Sequence, residues 1–333
     1  MTGELHDPRK TFGAAVTAAA EQDDRIVVLS ADSGGSSGLG GFLRRFPERY
    51  LEFGIEEQAV TGVASGLATM GKIPVFCAIA PFVTCRNFEQ FRNDLGYMKQ
   101  NVKVVGRNGG FTYSDLGSTH HSLEDYAIMR MIPGVTVLAP QDAGEIQGAV
   151  KAMLRHEGPV YMRIGSNPVP QVFPGDDFVI GKGRRVRQGS DATVITTGYT
   201  TISVLEAVDA LIAGGLQIDL LCLGTVTPLD DELILESVRR TGHVITVEEH
   251  YARGGLFGAV AEFLSRKYPV IIDSLAVPLE YVPSGPYAEL LRSYGLDTAG
   301  LEAELRALVS RQSHGNQLAD VPLPEMPGET RRT

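Results

Sequence analysis

The chain has 333 residues, 43% hydrophobic and 21% charged, with a formal net charge of -10. That length accommodates two core-bearing domains, and an acidic chain without a dense lysine or arginine stripe is a poor match for a phosphate backbone, so nucleic acid is not an expected partner. The opening MTGELHDPRK lacks the apolar centre of a secretory signal, no apolar run reaches bilayer length, and Cys77, Cys85 and Cys222 are too scattered for disulfides or zinc; a cytoplasmic protein whose cysteines only pack is expected.

Short β-branched runs alternate with helical patterns, from RIVVLS at 25–30 through KIPVFCAIA, NVKVVG, VTVLAP and VYMRIG. This alternation predicts a parallel sheet with crossover helices. A second set follows in ATVITTG, LQIDLLCLG, HVITVEEH and YPVIIDSLA, separated by helices such as Ser203 to Ala213 and Asp231 to Arg240. The fold class is therefore α/β, with two consecutive parallel-sheet domains. Between them GSNPVPQVFPGDDFVIGKGRRVRQGSD reads as a linker with one short strand. The domains are placed at 1–185 and 186–311, and the proline-rich 312–333 is expected to be a mobile tail.

Two glycine-rich stretches, SADSGGSSGLGGF after the first strand and GRNGGFTYSDLGSTHH after the third, let the backbone approach a ligand and align N–H groups toward an anion. Neither matches GxGxxG with a following acid, nor GxxxxGK[ST], so dinucleotide and P-loop readings are weak. Both leave carboxyl ends of parallel strands, where open α/β sheets bind ligands. They also carry polar groups that a plain turn does not need: Asp32, Ser33 and Ser36 in one, Arg107, Asp115, His120 and His121 in the other.

Between these loops, FGIEEQAVTGVASGLA sets Glu56 and Glu57 at the mouth of a small-residue-rich helix. The helix dipole favours acids there, which accounts for one or both. Both border the apolar face of Val60, Val63, Ala64 and Leu67, so periodicity does not choose between them. In APFVTCRNFEQFRNDLGYM, Phe88 and Phe91 share a helix face and belong in the core, whereas Phe82 sits at the strand-to-helix turn on the ligand-facing side. His120 and His121 lack the further ligands and HExxH spacing of a metal site, and no metal held by this chain alone is expected. A loop histidine suits proton transfer or a hydrogen bond to a substrate oxygen. Ser122 with Asp125 forms a near capping box for the helix of SLEDYAIMR.

Taken in order, RK at 9–10, SAD, FGIEEQ, the aromatic turn after A-P, STHHSLED, TVTPLD and VEEHYARGGLFGAV resemble the carboxyl-terminal half of transketolase, a thiamine-diphosphate enzyme. The GIEEQ string is also similar to 1-deoxyxylulose-5-phosphate synthase. The resemblance implies a pyrimidine-binding domain followed by a transketolase C-terminal domain. The family's other module holds the diphosphate through Mg²⁺ with a GDG sequence, and this chain contains no GDG. The implied protein is one subunit of a split transketolase, in an α2β2 assembly and inactive alone, with the Mg²⁺ and diphosphate held by its partner. Its implied reaction moves a glycolaldehyde unit from a phosphorylated ketose to an aldose.

Residue by residue, the resemblance assigns the catalytic glutamate to Glu57, directly before Gln58, and leaves Glu56 as a first-turn carboxylate. Phe82 matches the aromatic against the aminopyrimidine, and Asp32 an acid near the cofactor. His120 matches the histidine that holds substrate and assists proton movement. Arg9, Ser36 and Arg107 match groups that grip the sugar phosphate, and Asp115 the acid facing a substrate hydroxyl. One arm of the phosphate clamp is missing: Ser166 stands where the family commonly has an arginine, three residues beyond Arg163. The rival activities are an acyl-transferring or decarboxylating enzyme, resembling 1-deoxyxylulose-5-phosphate synthase or the beta subunit of 2-oxo-acid dehydrogenases, and a non-catalytic regulatory partner. The polar set Asp32, Asp115 and His120 favours a hydroxylated substrate over a methyl ketone.

Overall fold

Ile26–Ser30 is buried along its whole length, as a strand covered on both faces must be. Its alternation splits the core: Ile26 and Val28 pack with Phe12, Val16 and Val150, while Val27 and Leu29 pack with Val60, Phe76 and Phe91. The computed structural model describes residues 4–315. The first sheet has seven strands, in the order Thr225–Thr227, Thr136–Leu138, Val160–Arg163, Lys103–Arg107, Ile73–Ile79, Ile26–Ser30 and Tyr50–Glu52. All its pairings are parallel except that of Thr225–Thr227 with Thr136–Leu138. The helices Pro8–Ala20 and Ala143–Arg155 cover one face, and Glu57–Thr69 the other. Pro8–Ala20 starts where it does because the Asp7 side chain accepts from the Arg9 and Lys10 amides and Pro8 needs no donor.

The second sheet has the order Ile271–Val277, His243–Tyr251, Ala192–Thr197, Ile218–Leu223 and Arg184–Arg187. Its three parallel pairings end at the antiparallel edge strand Arg184–Arg187. Residue 185, the expected domain boundary, lies inside that strand, so the chain enters the second sheet within the supposed linker. The two units also exchange structure, since Thr225–Thr227 leaves the second sheet's neighbourhood to pair in the first. Among the described residues no helix is long and apolar enough to cross a membrane.

Several local expectations are corrected. The last helix runs Thr298–Gly315, past the point at 312 where a mobile tail is expected, and 316–333 lie outside the described residues. The helix Asp125–Arg130 follows Glu124, not Ser122, and has no side-chain cap. Asp125 instead turns inward, accepting from the Tyr161 hydroxyl at 2.6 Å and Arg163 Nη1 at 3.0 Å. Val63 is 37% exposed although Val60 and Ala64 on the same helix are fully buried. Cys85 is exposed, with its thiol 3.4 Å from Glu124 Oε1, whereas Cys77 and Cys222 are buried packing residues. Phe91 is buried and Phe88 packs beside it, as their spacing predicts.

Candidate functional site

The strand order sets four carboxyl ends side by side: Lys103–Arg107, Ile73–Ile79, Ile26–Ser30 and Tyr50–Glu52. The segments leaving those ends carry almost every residue singled out from sequence. The adjacent acids take different roles. Glu56 is the N-cap residue, exposed and without a side-chain cap bond, so it precedes the first turn that it was expected to occupy. Glu57 is the first helical residue and only 3% exposed.

The Glu57 carboxylate accepts from Arg86 Nη1 at 2.8 Å, and the Arg86 guanidinium lies 3.9 Å from the centroid of the Phe82 ring. Phe82 comes from the turn Ala80–Phe82 at the end of Ile73–Ile79. On its edge stands His120, with ring centroids 5.2 Å apart and the planes at 71°. Tyr113 meets His120 at 5.3 Å and 82°. His120 Nδ1 is 2.9 Å from Thr119 Oγ1, which leaves Nε2 as the nitrogen for a ligand. Burial first, and the Arg86 charge second, hold the His120 pKa below its ordinary value. Both causes favour the neutral imidazole. His121 is buried and lies edge-on to Phe111, so the histidine pair divides between site and core.

A second cluster offers no ring but collects positive charge. Arg107 is 3% exposed, and its Nη2 donates to Ser36 Oγ at 2.8 Å and Nη1 to Asn108 Oδ1 at 2.5 Å. Among the described residues no carboxylate pairs with it, and its Nε has no hydrogen-bond partner. Burial lowers the Arg107 pKa, and the nearby Arg9 charge acts in the same direction. A buried cation without a counter-ion is costly, and an anion delivered to it recovers much of that cost. Arg9 is held by Asp7 through Nε at 3.2 Å and Nη2 at 3.0 Å. Ser166 is turned away from solvent and donates to the Thr112 carbonyl at 2.9 Å. This bond ties the Ser166 segment to the loop that holds Thr112.

Asp32 and Asp115 are both exposed and make no described side-chain hydrogen bond. Asp32 takes a positive φ of 52°, and its amide donates to Glu52 Oε1 at 2.7 Å. That same oxygen accepts from Phe53 and Gly54. Burial opposes ionisation of Glu52, but the backbone donors together with the Ser30 side chain outweigh it and its pKa is lowered. Glu52 thus joins the loop of Asp32 to the segment leading to Glu57. Sequence reasoning missed Glu52, Arg86 and Tyr113. Arg86 had one usable signal: it follows Phe82 by four residues, the spacing at which side chains meet on a helical turn.

Residues 6–170 match the family model described as transketolase, pyrimidine binding domain, and residues 181–301 that described as transketolase, C-terminal domain. The chain is 39% identical over 303 residues to an apulose-4-phosphate transketolase subunit of Phocaeicola vulgatus, covering 90% of this chain and 97% of that one. It is 38% identical over 275 residues to the 6-deoxy-6-sulfo-D-fructose transketolase subunit SqwH of a Clostridium species, covering 82% and 85%. A solved structure described as a split gene transketolase, inactive beta4 tetramer, superposes with a TM-score of 0.85 at 37% identity, covering 91% of this chain and 98% of that one.

Proposed function

The chain belongs to the transketolase family, and from that premise we propose that it is the subunit of a split, thiamine-diphosphate-dependent transketolase that carries the pyrimidine-binding and carboxyl-terminal domains. The observation that carries the site assignment is the chain of contacts from buried Glu57 through Arg86 to Phe82 and His120. When bound, thiamine diphosphate supplies the carbon nucleophile on which a two-carbon ketol unit is carried between sugars.

The residues present fit an aminopyrimidine. Glu57 supplies a buried carboxyl group for a hydrogen bond with a ring nitrogen, and Phe82 supplies a partly open aromatic ring for a flat heterocycle. Asp32 lies on a loop tied to the Glu57 segment through Glu52. His120 Nε2 takes or returns a proton on a substrate hydroxyl, and Asp115 accepts a hydrogen bond from a second hydroxyl. Ser36, Arg107 and Arg9 hold an anionic end of the sugar, which the unpaired buried Arg107 supports. The names of the two relatives carry a phosphate and a sulfo group, which supports an anionic sugar as substrate. With Ser166 bonded inward, that anion meets fewer guanidinium groups than the family's usual clamp provides.

We assign the Mg²⁺ and diphosphate to a partner subunit because two relatives covered to 97% and 85% of their own length are themselves described as transketolase subunits. An α2β2 assembly in the cytoplasm is the simplest arrangement. The relative described as an inactive beta4 tetramer supports dependence on a partner. The test is to co-express this chain with a diphosphate-binding subunit and follow ketose consumption with thiamine diphosphate and Mg²⁺. A pair that binds the cofactor yet transfers no two-carbon unit from phosphorylated or free ketoses would defeat the proposal.

A further inference from the structure

Strand His243–Tyr251 of the second sheet ends in a second pair of adjacent acids, Glu248 and Glu249, and strand alternation sends their side chains opposite ways. Glu248 accepts from the Leu256 and Phe257 amides at 2.6 and 2.8 Å and so caps the helix Leu256–Lys267. Glu249 crosses to the other domain. Its Oε1 accepts from the Phe111 amide, and its Oε2 from the Tyr287 hydroxyl at 2.8 Å. Arg163 Nη2 donates to the Glu249 carbonyl at 2.7 Å.

Phe111 opens the segment that carries Tyr113, Asp115 and His120, and this segment rests on the second domain at further points. Ser118 Oγ donates to the Val282 carbonyl at 2.6 Å, and the Gly285 amide donates to the Ser114 carbonyl at 3.2 Å. The Phe111 ring stacks on Tyr294 at 5.5 Å. Added Cβ atoms at Gly110 would collide with the Glu249 carboxylate, so the backbone approaches that side chain as closely as glycine alone permits. A carboxylate that is 3% exposed is costly unless donors converge on it, and here the donors come from the site loop and from the helix Tyr287–Ser293.

We infer that Glu249 is a positioning residue for the reaction, through which the carboxyl-terminal domain sets the placement of the Phe111–His120 segment against Phe82. The inference rests on the proposed role of His120. Displacement of a catalytic group by about 1 Å costs up to roughly a hundredfold in rate. Loss of the Glu249 bonds therefore lowers kcat without touching the cofactor's own contacts.

The experiment uses the assembled pair with saturating thiamine diphosphate and Mg²⁺ and hydroxypyruvate as ketol donor, comparing Glu249→Ala, Glu249→Gln, Tyr287→Phe and His120→Ala. Glu249→Ala is expected to lower kcat about thirtyfold or more, with the KM for hydroxypyruvate and the thiamine diphosphate Kd within about threefold of wild type. Glu249→Gln keeps an oxygen for the Phe111 amide and is expected to restore kcat to within about fivefold. Tyr287→Phe is expected to lower kcat about three- to tenfold, and it decides the matter if Glu249→Ala does not assemble. If His120→Ala is dead while Glu249→Ala and Tyr287→Phe both stay within twofold, this inference is overturned and the proposed function stands. If His120→Ala is fully active, both fall together. A parallel loss of kcat, cofactor binding and thermal stability in Tyr287→Phe also overturns it, because the residue would then be a general support.

Discussion

Glu57 and Arg86 form an ion pair in which the acid is 3% and the base 40% exposed, with Nη1 2.8 Å from Oε2. The guanidinium is also stacked on Phe82. In the proposed role an aminopyrimidine draws on that carboxylate and on the Phe82 ring, so Arg86 would compete with it. Half-exposed ion pairs are weak, about 0.2–1 kcal/mol. Arg86→Gln is therefore expected to tighten thiamine diphosphate binding by the assembled pair about two- to fivefold in calorimetry. Weaker binding would show instead that the guanidinium helps to hold the cofactor.

The two neighbouring acids are separated by burial, and their variants should part in the same way. Glu57→Ala is expected to leave assembly intact and lower kcat by roughly 10²–10⁴, the usual range for loss of a positioned acid or base. Glu56→Ala, at an exposed N-cap position without a side-chain bond, should remain within about twofold. Steady-state rates of both pairs, beside size-exclusion profiles, decide it; a dead Glu56→Ala pair with an active Glu57→Ala pair would reverse the assignment.

The pH profile of kcat should report His120. Its pKa lies below the ordinary 6.5 because burial, and then the Arg86 charge, disfavour the imidazolium. Activity that needs neutral imidazole is therefore retained at pH 6.5 and falls on a limb below it. Arg86→Gln removes the smaller of the two causes, so the limb should move up but stay below 6.5. Movement downward, or a limb unchanged in His120→Gln, would assign that titration to another group.

Arg107 should matter for charge rather than for chemistry. In Arg107→Gln the KM for a phosphorylated ketose is expected to rise about ten- to a hundredfold, the worth of a charge-assisted hydrogen bond, while turnover of hydroxypyruvate changes little. Equal losses on both donors would remove the anion-site reading.

Much of the fold is legible in the sequence because its central strands are short β-branched runs buried on both faces, a pattern with few alternatives. Phe82 stands out by position, in the turn directly after a strand's carboxyl end, whereas the choice of Glu57 over Glu56 and of His120 over His121 rests on the resemblance to transketolase and not on the pattern. What the pattern hides is contact between distant segments. Phe111 and Glu249 are 138 positions apart, and no periodicity joins them. Thr225–Thr227 crosses to the first sheet although its neighbours belong to the second, because three residues are too few to show a preference. Ser122 looks like a cap, but tertiary bonds to Tyr161 and Arg163 claim Asp125 and the helix begins later.

The central claim is that this chain holds only half of a catalytic site. Ketol transfer should be measured at a fixed concentration of this chain, with thiamine diphosphate and Mg²⁺ present, while the diphosphate-binding partner is titrated in. The expected result is no turnover without the partner and a rate that rises to a plateau near one partner per chain. Robust cofactor-dependent turnover by this chain alone would contradict the account.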